Sequence, residues 1–395
     1  MKKLGKNRDD QKRSNWGLVL RLLATGRCSS RIDLAKATGL TKATITQIVG
    51  DMISQGIVEE AEKEVRSEIG RHPTKLVISG RAPKVIGVLI DRAYCAAVLC
   101  DLNMNVLSRS EVRKEWSDKE DLMDNVFRLV DDLLETKQCV IAIGVASVGP
   151  VNTGEGMIVN PFYFHDIHDL PVKRLLEERY SLPVFFDHDN QCAVLAESLY
   201  GNGKNYQDML LVSVARGVGC GIIVQGHRIH SAYGYAPEIG HVSIDHMGEK
   251  CSCGNRGCLE MYTNSDTILK KLRLATGEKL DYAGFMARSE EKAVDGVMQE
   301  CIGNLVIGLI SVMNILNTQL ILLGGDCCAW PDRYIRQIEE EVNRLKFGNK
   351  NIRIPVRKTF FLYDSQLFGA ACHAVNAMFN GELSGPVMKE TPVGA

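Results

Sequence analysis

Three cysteines and a histidine carry the clearest chemistry in the sequence. Cys251-Ser-Cys253 is followed five residues on by Cys258, and His241 stands ten residues upstream of Cys251. Three thiolates and one imidazole form a closed tetrahedral set for Zn²⁺. Gly254 and Gly257 allow the tight backbone that brings three sulfurs to one ion. No position is left for water, so such a metal is structural. On spacing alone His246 competes with His241 as the nitrogen ligand. A second pattern, Arg216-Gly217-Val218-Gly219-Cys220-Gly221, reads as a glycine-rich turn whose amides could approach phosphates. A third lies near the N-terminus, where Thr41, Lys42, Thr44 and Gln47 share the polar side of an amphipathic segment. With Arg71 in Gly70-Arg71-His72-Pro73, these are groups able to read base edges and phosphates.

The elements that must hold these groups follow from spacing and punctuation. Trp16–Ala24 reads as a helix. Ser30 caps a second helix, Arg31–Thr38, which Gly39 closes. Thr41 caps a third, in which Ile45, Ile48, Val49, Met52 and Ile53 recur at helical spacing. Two helices about a tight glycine turn make a helix-turn-helix, and strands at Ile57–Val58 and Leu76–Ser79 add a wing. Residues 1–84 hold 17 Lys+Arg against 9 Asp+Glu, whereas the rest hold 30 against 39. A basic head on an acidic body predicts a polyanionic partner, double-stranded DNA.

Beyond a linker at 81–84 the pattern turns to α/β. Strands at Val85–Ile90 and Ala96–Leu102 flank the turn Asp91–Cys95, and Leu122–Leu134 is helical. Strands follow at Cys139–Val148 and Val184–Phe186, then a helix over 190–200. A similar cycle opens at Met209–Val214, passes the glycine-rich turn and reaches Ile222–Val224. The expected organisation is a head over 1–80, the linker, an α/β body of two lobes with a cleft over 85–383, and a tail over 384–395. Cys301–Gly325 is uncharged and long enough to span a membrane. It divides into a helix, Gly303–Leu316, and a strand, Gln319–Leu323, which predicts a buried core and no membrane partner. At 45% apolar and 24% charged residues the composition excludes long disorder and coiled-coil rods. Thirteen scattered cysteines and a polar N-terminus predict a reduced, cytoplasmic chain.

Glu238-Ile-Gly-His241 followed by Cys251-x-Cys253-Gly-x-x-Gly-Cys258-x-Glu260 resembles the ROK family of repressors, open reading frames and sugar kinases. The resemblance runs from the helix-turn-helix to Gly369-Ala370-Ala371, and the fused head is similar to the xylose and N-acetylglucosamine repressor branch. It implies an actin-like ATPase fold of two lobes with a hexose-type sugar in the cleft. Asp189 matches the catalytic base of the kinases, which have Asn-Asp where this chain has His188-Asp189. The resemblance also assigns Asn160, His188, Glu238, His241 and Glu260 to sugar hydroxyls, with Asp189. Where family kinases carry Asp-x-Gly-Gly-Thr to grip phosphates, this chain has Asp91-Arg92-Ala93-Tyr94, so Arg92 and Tyr94 are expected to crowd the phosphate path. Gly324-Gly325, which meets adenosine in the family, is kept. The implied function is a sugar-responsive repressor of a carbohydrate operon, a homodimer or higher oligomer whose sensor is a kinase fold without catalysis. The alternative is an active ATP-dependent sugar kinase with a DNA-binding head.

Overall fold

The structure is a computed structural model that describes residues 7–61, 74–161, 164, 167–230 and 235–383. Arg71, its Gly70–Pro73 turn and the tail at 384–395 lie outside the described residues. The chain divides into two compact units: residues 1–148, 155–187 and 370–395 form unit 1, and 149–154 and 188–369 form unit 2.

Unit 1 opens with the head. Helix α1 (Arg8–Ala24) starts at Arg8 rather than Trp16, because Asn7 and Asp10 cap each other's backbone N–H at 2.8 and 3.1 Å. Ser30 caps α2 (Arg31–Thr38) and Gly39 closes it at φ 70°. The Thr41 hydroxyl accepts the Thr44 N–H at 3.2 Å to start α3 (Lys42–Ser54). Ile45, Ile48, Val49 and Met52 are buried there, beside the buried Leu20 and Leu34 of the other helices. Strands β1 (Val58–Glu60) and β2 (Leu76–Ile78) pair antiparallel as the stem of the wing.

The expected linker is a folded corner. Lys84 is buried, and its ammonium donates to the carbonyls of Gly80, at 2.8 Å, and Ala82. It also begins β3 (Lys84–Asp91), which runs antiparallel to β4 (Tyr94–Cys100) and parallel to β6 (Val140–Ser147). With β5 (Val106–Arg113) and β9 (Val184–His188) these form a sheet in the order β5-β4-β3-β6-β9. Strands β3 and β6 are apolar and buried almost throughout, as parallel strands covered on both faces must be. Helices α4 (Lys119–Leu134) and α5 (Val172–Tyr180) belong to unit 1, as does the short strand β8 (Met157–Ile158).

Unit 2 begins with the short β7 (Val151–Asn152) and resumes at α6 (Asp189–Leu199). Its sheet has the order β12-β11-β10-β13-β14, from β10 (Met209–Val214), β11 (Val218–Val224), β12 (His227–Arg228), β13 (Leu320–Gly325) and β14 (Val356–Lys358). Helices α7 (Glu260–Thr263), α8 (Ser265–Thr276), α9 (Tyr282–Ala287), α10 (Lys292–Leu316) and α11 (Asp332–Leu345) complete it. The uncharged stretch is indeed helix then strand: α10 buries Met298, Cys301, Leu305 and Leu309 in the unit 2 core, together with Leu210 and Val212. Gly219 and Gly221 are not in a turn. They lie inside β11, where added Cβ atoms would stand 2.3 Å from Asn190 Nδ2 and 2.2 Å from the Asn190 carbonyl oxygen. Those glycines admit α6 to the sheet; the turn is shorter, between Val214 and Val218.

Helix α12 (Ser365–Phe379) starts in unit 2 and continues into unit 1. Gly144 of β6 lets it lie against the sheet, since a Cβ there would stand 1.8 Å from the Ala370 carbonyl oxygen. Its last turn carries the head. A Cβ on Gly17 of α1 would be 2.1 Å from the Phe379 carbonyl oxygen, so the two helix backbones touch without a side chain between them.

Candidate functional site

His241 and the three cysteines converge. Their ligand atoms lie within 4.8 Å of one another, so the described residues bring together a group able to hold a metal ion. Cys251 Sγ is 3.7 Å from His241 Nδ1, and Cys253 Sγ is 3.7 Å from Cys258 Sγ. His241 ends a 3-10 turn, Ile239–His241, that fits because Gly240 packs on the Val218 carbonyl, 2.2 Å from where a Cβ would be. Gly257, at φ 61°, is required twice over: a Cβ there would stand 1.7 Å from the Asp245 carbonyl oxygen. Burial pushes the Cys251 thiol up, but the Cys253 amide and the neighbouring thiols and imidazole outweigh it and hold the group at about 7. Burial and the sulfurs of Cys251 and Cys253 push Cys258 up to about 12. One thiolate forms readily and a second is repelled, as in any cysteine cluster without its cation. His246 is exposed and stands outside the group, and His241 is the imidazole that lies within it.

Carboxylates gather beside it. Glu238 is reachable by solvent yet enclosed on most sides, and that enclosure pushes its carboxyl above the usual range. His188 and His241 oppose the shift, while Asp189 and Glu260 add to it, so all five groups share one field. Asp189 is the first residue of α6, and its Oδ1 is 3.0 Å from His188 Nδ1. Glu260 opens α7, and its Oε2 accepts the Val218 N–H at 3.0 Å, which ties it to the turn between β10 and β11. Asp189 follows β9 of unit 1 in sequence but belongs to unit 2 with the two glutamates. Asn160 is exposed and belongs to unit 1. Asn190 went unnoticed in the sequence. Its Nδ2 donates to Asp189 Oδ1 at 2.8 Å, while its own Oδ1 is buried with no partner among the described residues. Such a set of acceptors, with an imidazole among them, suits a ligand rich in hydroxyl groups.

The description of the ROK family matches residues 85–376 of this sequence. The chain belongs to the ROK family. Over 393 residues it is 27% identical to the DNA-binding transcriptional repressor Mlc of Escherichia coli, covering 95% of this chain and 96% of that one. It is 28% identical to the xylose repressor of Bacillus subtilis, covering 84% and 87%. In fold it superposes with TM-score 0.82 on a crystal structure of a ROK family transcriptional regulator, a homologue of E. coli Mlc. That match is at 24% identity and covers 96% of this chain and all of the other. A ROK family glucokinase from Streptomyces griseus, in complex with glucose and AMPPNP, aligns at TM-score 0.64 and 21% identity over 73% of this chain and 98% of its own. The fold is therefore a mixed α/β one of the actin-like sugar-kinase type, with a helical head in front.

Within this ROK fold the side chains of the turn Asp91–Tyr94 make local contacts. The Tyr94 hydroxyl is 3.0 Å from Glu111 Oε2 and its ring lies under Arg113, at 4.2 Å, so it is drawn along β5. Arg92 and Ala93 have negative φ, and the Arg92 N–H already donates to the Asp91 carboxylate. The Arg92 amide is thus engaged within the turn itself. On the head, Thr41, Lys42 and Gln47 are exposed along α3 and Thr44 is half-buried, its hydroxyl 2.9 Å from that of Thr41.

Proposed function

We propose that this chain is a sugar-responsive DNA-binding transcriptional repressor of a carbohydrate operon, and that its kinase fold binds sugar without phosphorylating it. The observation that carries this reading is the Asp91–Tyr94 turn, which has lost the family's glycines and spends its first amide on Asp91. Phosphoryl transfer rests almost wholly on gripping and orienting phosphates, so such a turn costs catalysis more than it costs sugar binding. In this role Asp189, Glu238 and Glu260 accept sugar hydroxyl hydrogens, joined by His188, His241 and Asn160, and Asp189 takes no proton. The retained Asp189 and Gly324-Gly325 favour the second reading, an active sugar kinase with a head. A coupled assay of ADP release over hexoses and pentoses separates the two: background rates are expected, and robust turnover overturns the first.

The head reads an operator as a dimer. Two α3 helices must lie about one helical turn, ~34 Å, apart, because one helix-turn-helix covers too few base pairs. Thr41, Lys42, Thr44 and Gln47 enter the major groove, and Arg71 reaches the backbone or minor groove from the wing. Lys42→Ala is expected to weaken all DNA binding and to lower the salt slope by about one counterion, ~0.9 in log–log units. Fluorescence anisotropy across a salt series checks this; an unchanged slope would mean that Lys42 meets no phosphate.

Zn²⁺ fits the His241–Cys251–Cys253–Cys258 group. With Zn–S near 2.3 Å, the edge of a tetrahedron is roughly 3.8 Å, close to the 3.7 Å separations between these ligand atoms. The metal would supply folding energy and hold the loop that carries His241 between Glu238 and Glu260. Mass spectrometry under native conditions is expected to find one zinc per chain. Cys253→Ser should lose the metal and weaken sugar binding with it. A metal-free, fully sugar-responsive protein would contradict the assignment.

Helix α12, whose residues belong to both units, supports a coupling of the sugar residues to the head. Asp189 begins α6; Gly369 of α12 packs on the Cys192 backbone of α6, 2.2 Å from where a Cβ would be. From Gly369 the helix runs on to Phe379, ~15 Å at 1.5 Å per residue, and α12 ends at Gly17 of the head. A sugar that shifts α6 thereby biases the seating of α1, by its differential affinity for the two settings.

A further inference from the structure

We propose that unit 2 carries a second ligand site, separate from the sugar carboxylates, that takes a phosphate monoester borne on a ring. A cavity of about 520 Å³ opens beside the end of β14, within the range of small-molecule sites, ~300–1,000 Å³. Three cations line it: Arg336 from α11, and Arg357 and Lys358 from β14. Lys358 is paired with Asp332 at 3.1 Å. Neither arginine pairs with a carboxylate among the described residues, although acidic groups outnumber basic ones by nine beyond residue 84. Two unpaired guanidinium groups facing one cavity in an acidic body match an oxyanion, which planar N–H forks bind best.

The walls are held in place from beneath. Glu197 is fully buried, and its carboxylate accepts the backbone N–H groups of Asn202 at 3.0 Å, Phe360 at 2.7 Å and Phe361 at 3.2 Å. Asn202 Nδ2 in turn donates to the Lys358 carbonyl at 3.0 Å. One buried charge thus fixes both loops that flank the cations, and a buried carboxylate is too costly to keep merely for a surface bend. Phe360 is 58% exposed at the rim, a large apolar face that water penalises and a ring would cover. DNA would need a row of cations along a groove; here they converge on one cavity. None of Asp189, Glu238, His241, Glu260 or Gly324-Gly325 lines it.

Isothermal titration calorimetry on the full chain, with phenyl phosphate and inorganic phosphate as probes, tests the site. One phenyl phosphate per chain is expected, bound several-fold more tightly than inorganic phosphate. R336A/R357A should weaken it at least ~10-fold, and F360A should remove the preference for the ring. Lys42→Ala and Asp189→Asn should leave phenyl phosphate binding at the wild-type affinity, since they touch the head and the sugar site. All five positions are at least partly accessible to solvent, and an unchanged melting temperature in each variant shows that the fold is kept. Binding that survives R336A/R357A, binding that falls with Lys42→Ala, or no heat from either probe at millimolar concentration overturns the proposal.

Discussion

Gly17→Leu is expected to unseat the head and to abolish specific operator binding while leaving sugar binding intact. The atoms that a side chain would meet are the carbonyl oxygen and carbon of Phe379, at 2.1 and 2.7 Å from the new Cβ. Both are backbone, so no flexible side chain can turn away, and α1 must lift off α12. Overpacking by a few methylenes costs ~1–3 kcal/mol even where neighbours can adjust, and a leucine here has nowhere to go. Gly381, at φ 75° beside Arg13, closes the same contact. A head held only by the corner at 81–84 would lose the fixed separation that two recognition helices need on one face of DNA. Operator affinity should fall at least ~10-fold towards the non-specific level, and calorimetry should show the head melting apart from the body. Wild-type affinity with one cooperative transition would show that the Gly17–Phe379 contact is dispensable.

Asp189→Asn is the second large effect. Asp189 Oδ1 already accepts from Asn190 Nδ2 and lies beside His188 Nδ1, so the carboxylate acts here as an acceptor. The asparagine keeps the shape but turns one acceptor into a donor, and an unsatisfied pair in an enclosed site costs ~1–3 kcal/mol. Sugar affinity is expected to fall ~10–100-fold, and the DNA response should vanish over the normal sugar range. Sugar-free operator binding should stay at the wild-type value, because Asp189 plays no part in α3 or in the seating of α1. Anisotropy titrations with and without sugar read both quantities in one sample. Release of DNA at normal sugar concentrations by this variant would remove Asp189 from the sensor.

Local signals were legible in the sequence and distant contacts were not. Ser30, Gly39 and Thr41 punctuate the head because caps and left-handed turns are decided within four residues. The cysteine group was readable because its ligands lie close in the chain; only the imidazole was ambiguous, and the fold chose His241 over His246. β5 was missed. Its half-buried Ser108 and Ser110 alternate with the exposed Arg109 and Glu111 at the edge of a sheet, where few residues need be apolar. Gly219 and Gly221 were misplaced because a glycine that admits a helix looks, in sequence, like a glycine that makes a turn. The Gly17–Phe379 contact and the role of Glu197 had no signal at all, since each joins residues more than 160 positions apart. The grouping of Asp189 with Glu238 and Glu260 in unit 2 likewise depends on tertiary packing, not on the strand that precedes it.

The affinity of the wild-type protein for DNA from the control region of its own operon, measured with and without sugars and with no ATP present, tests the central claim most directly. One sugar or a narrow group of sugars is expected to weaken binding ~5–150-fold, the range of a coupling of ~1–3 kcal/mol. A response that requires ATP and proceeds with ADP release, or operator affinity indifferent to every sugar that binds the protein, would contradict it.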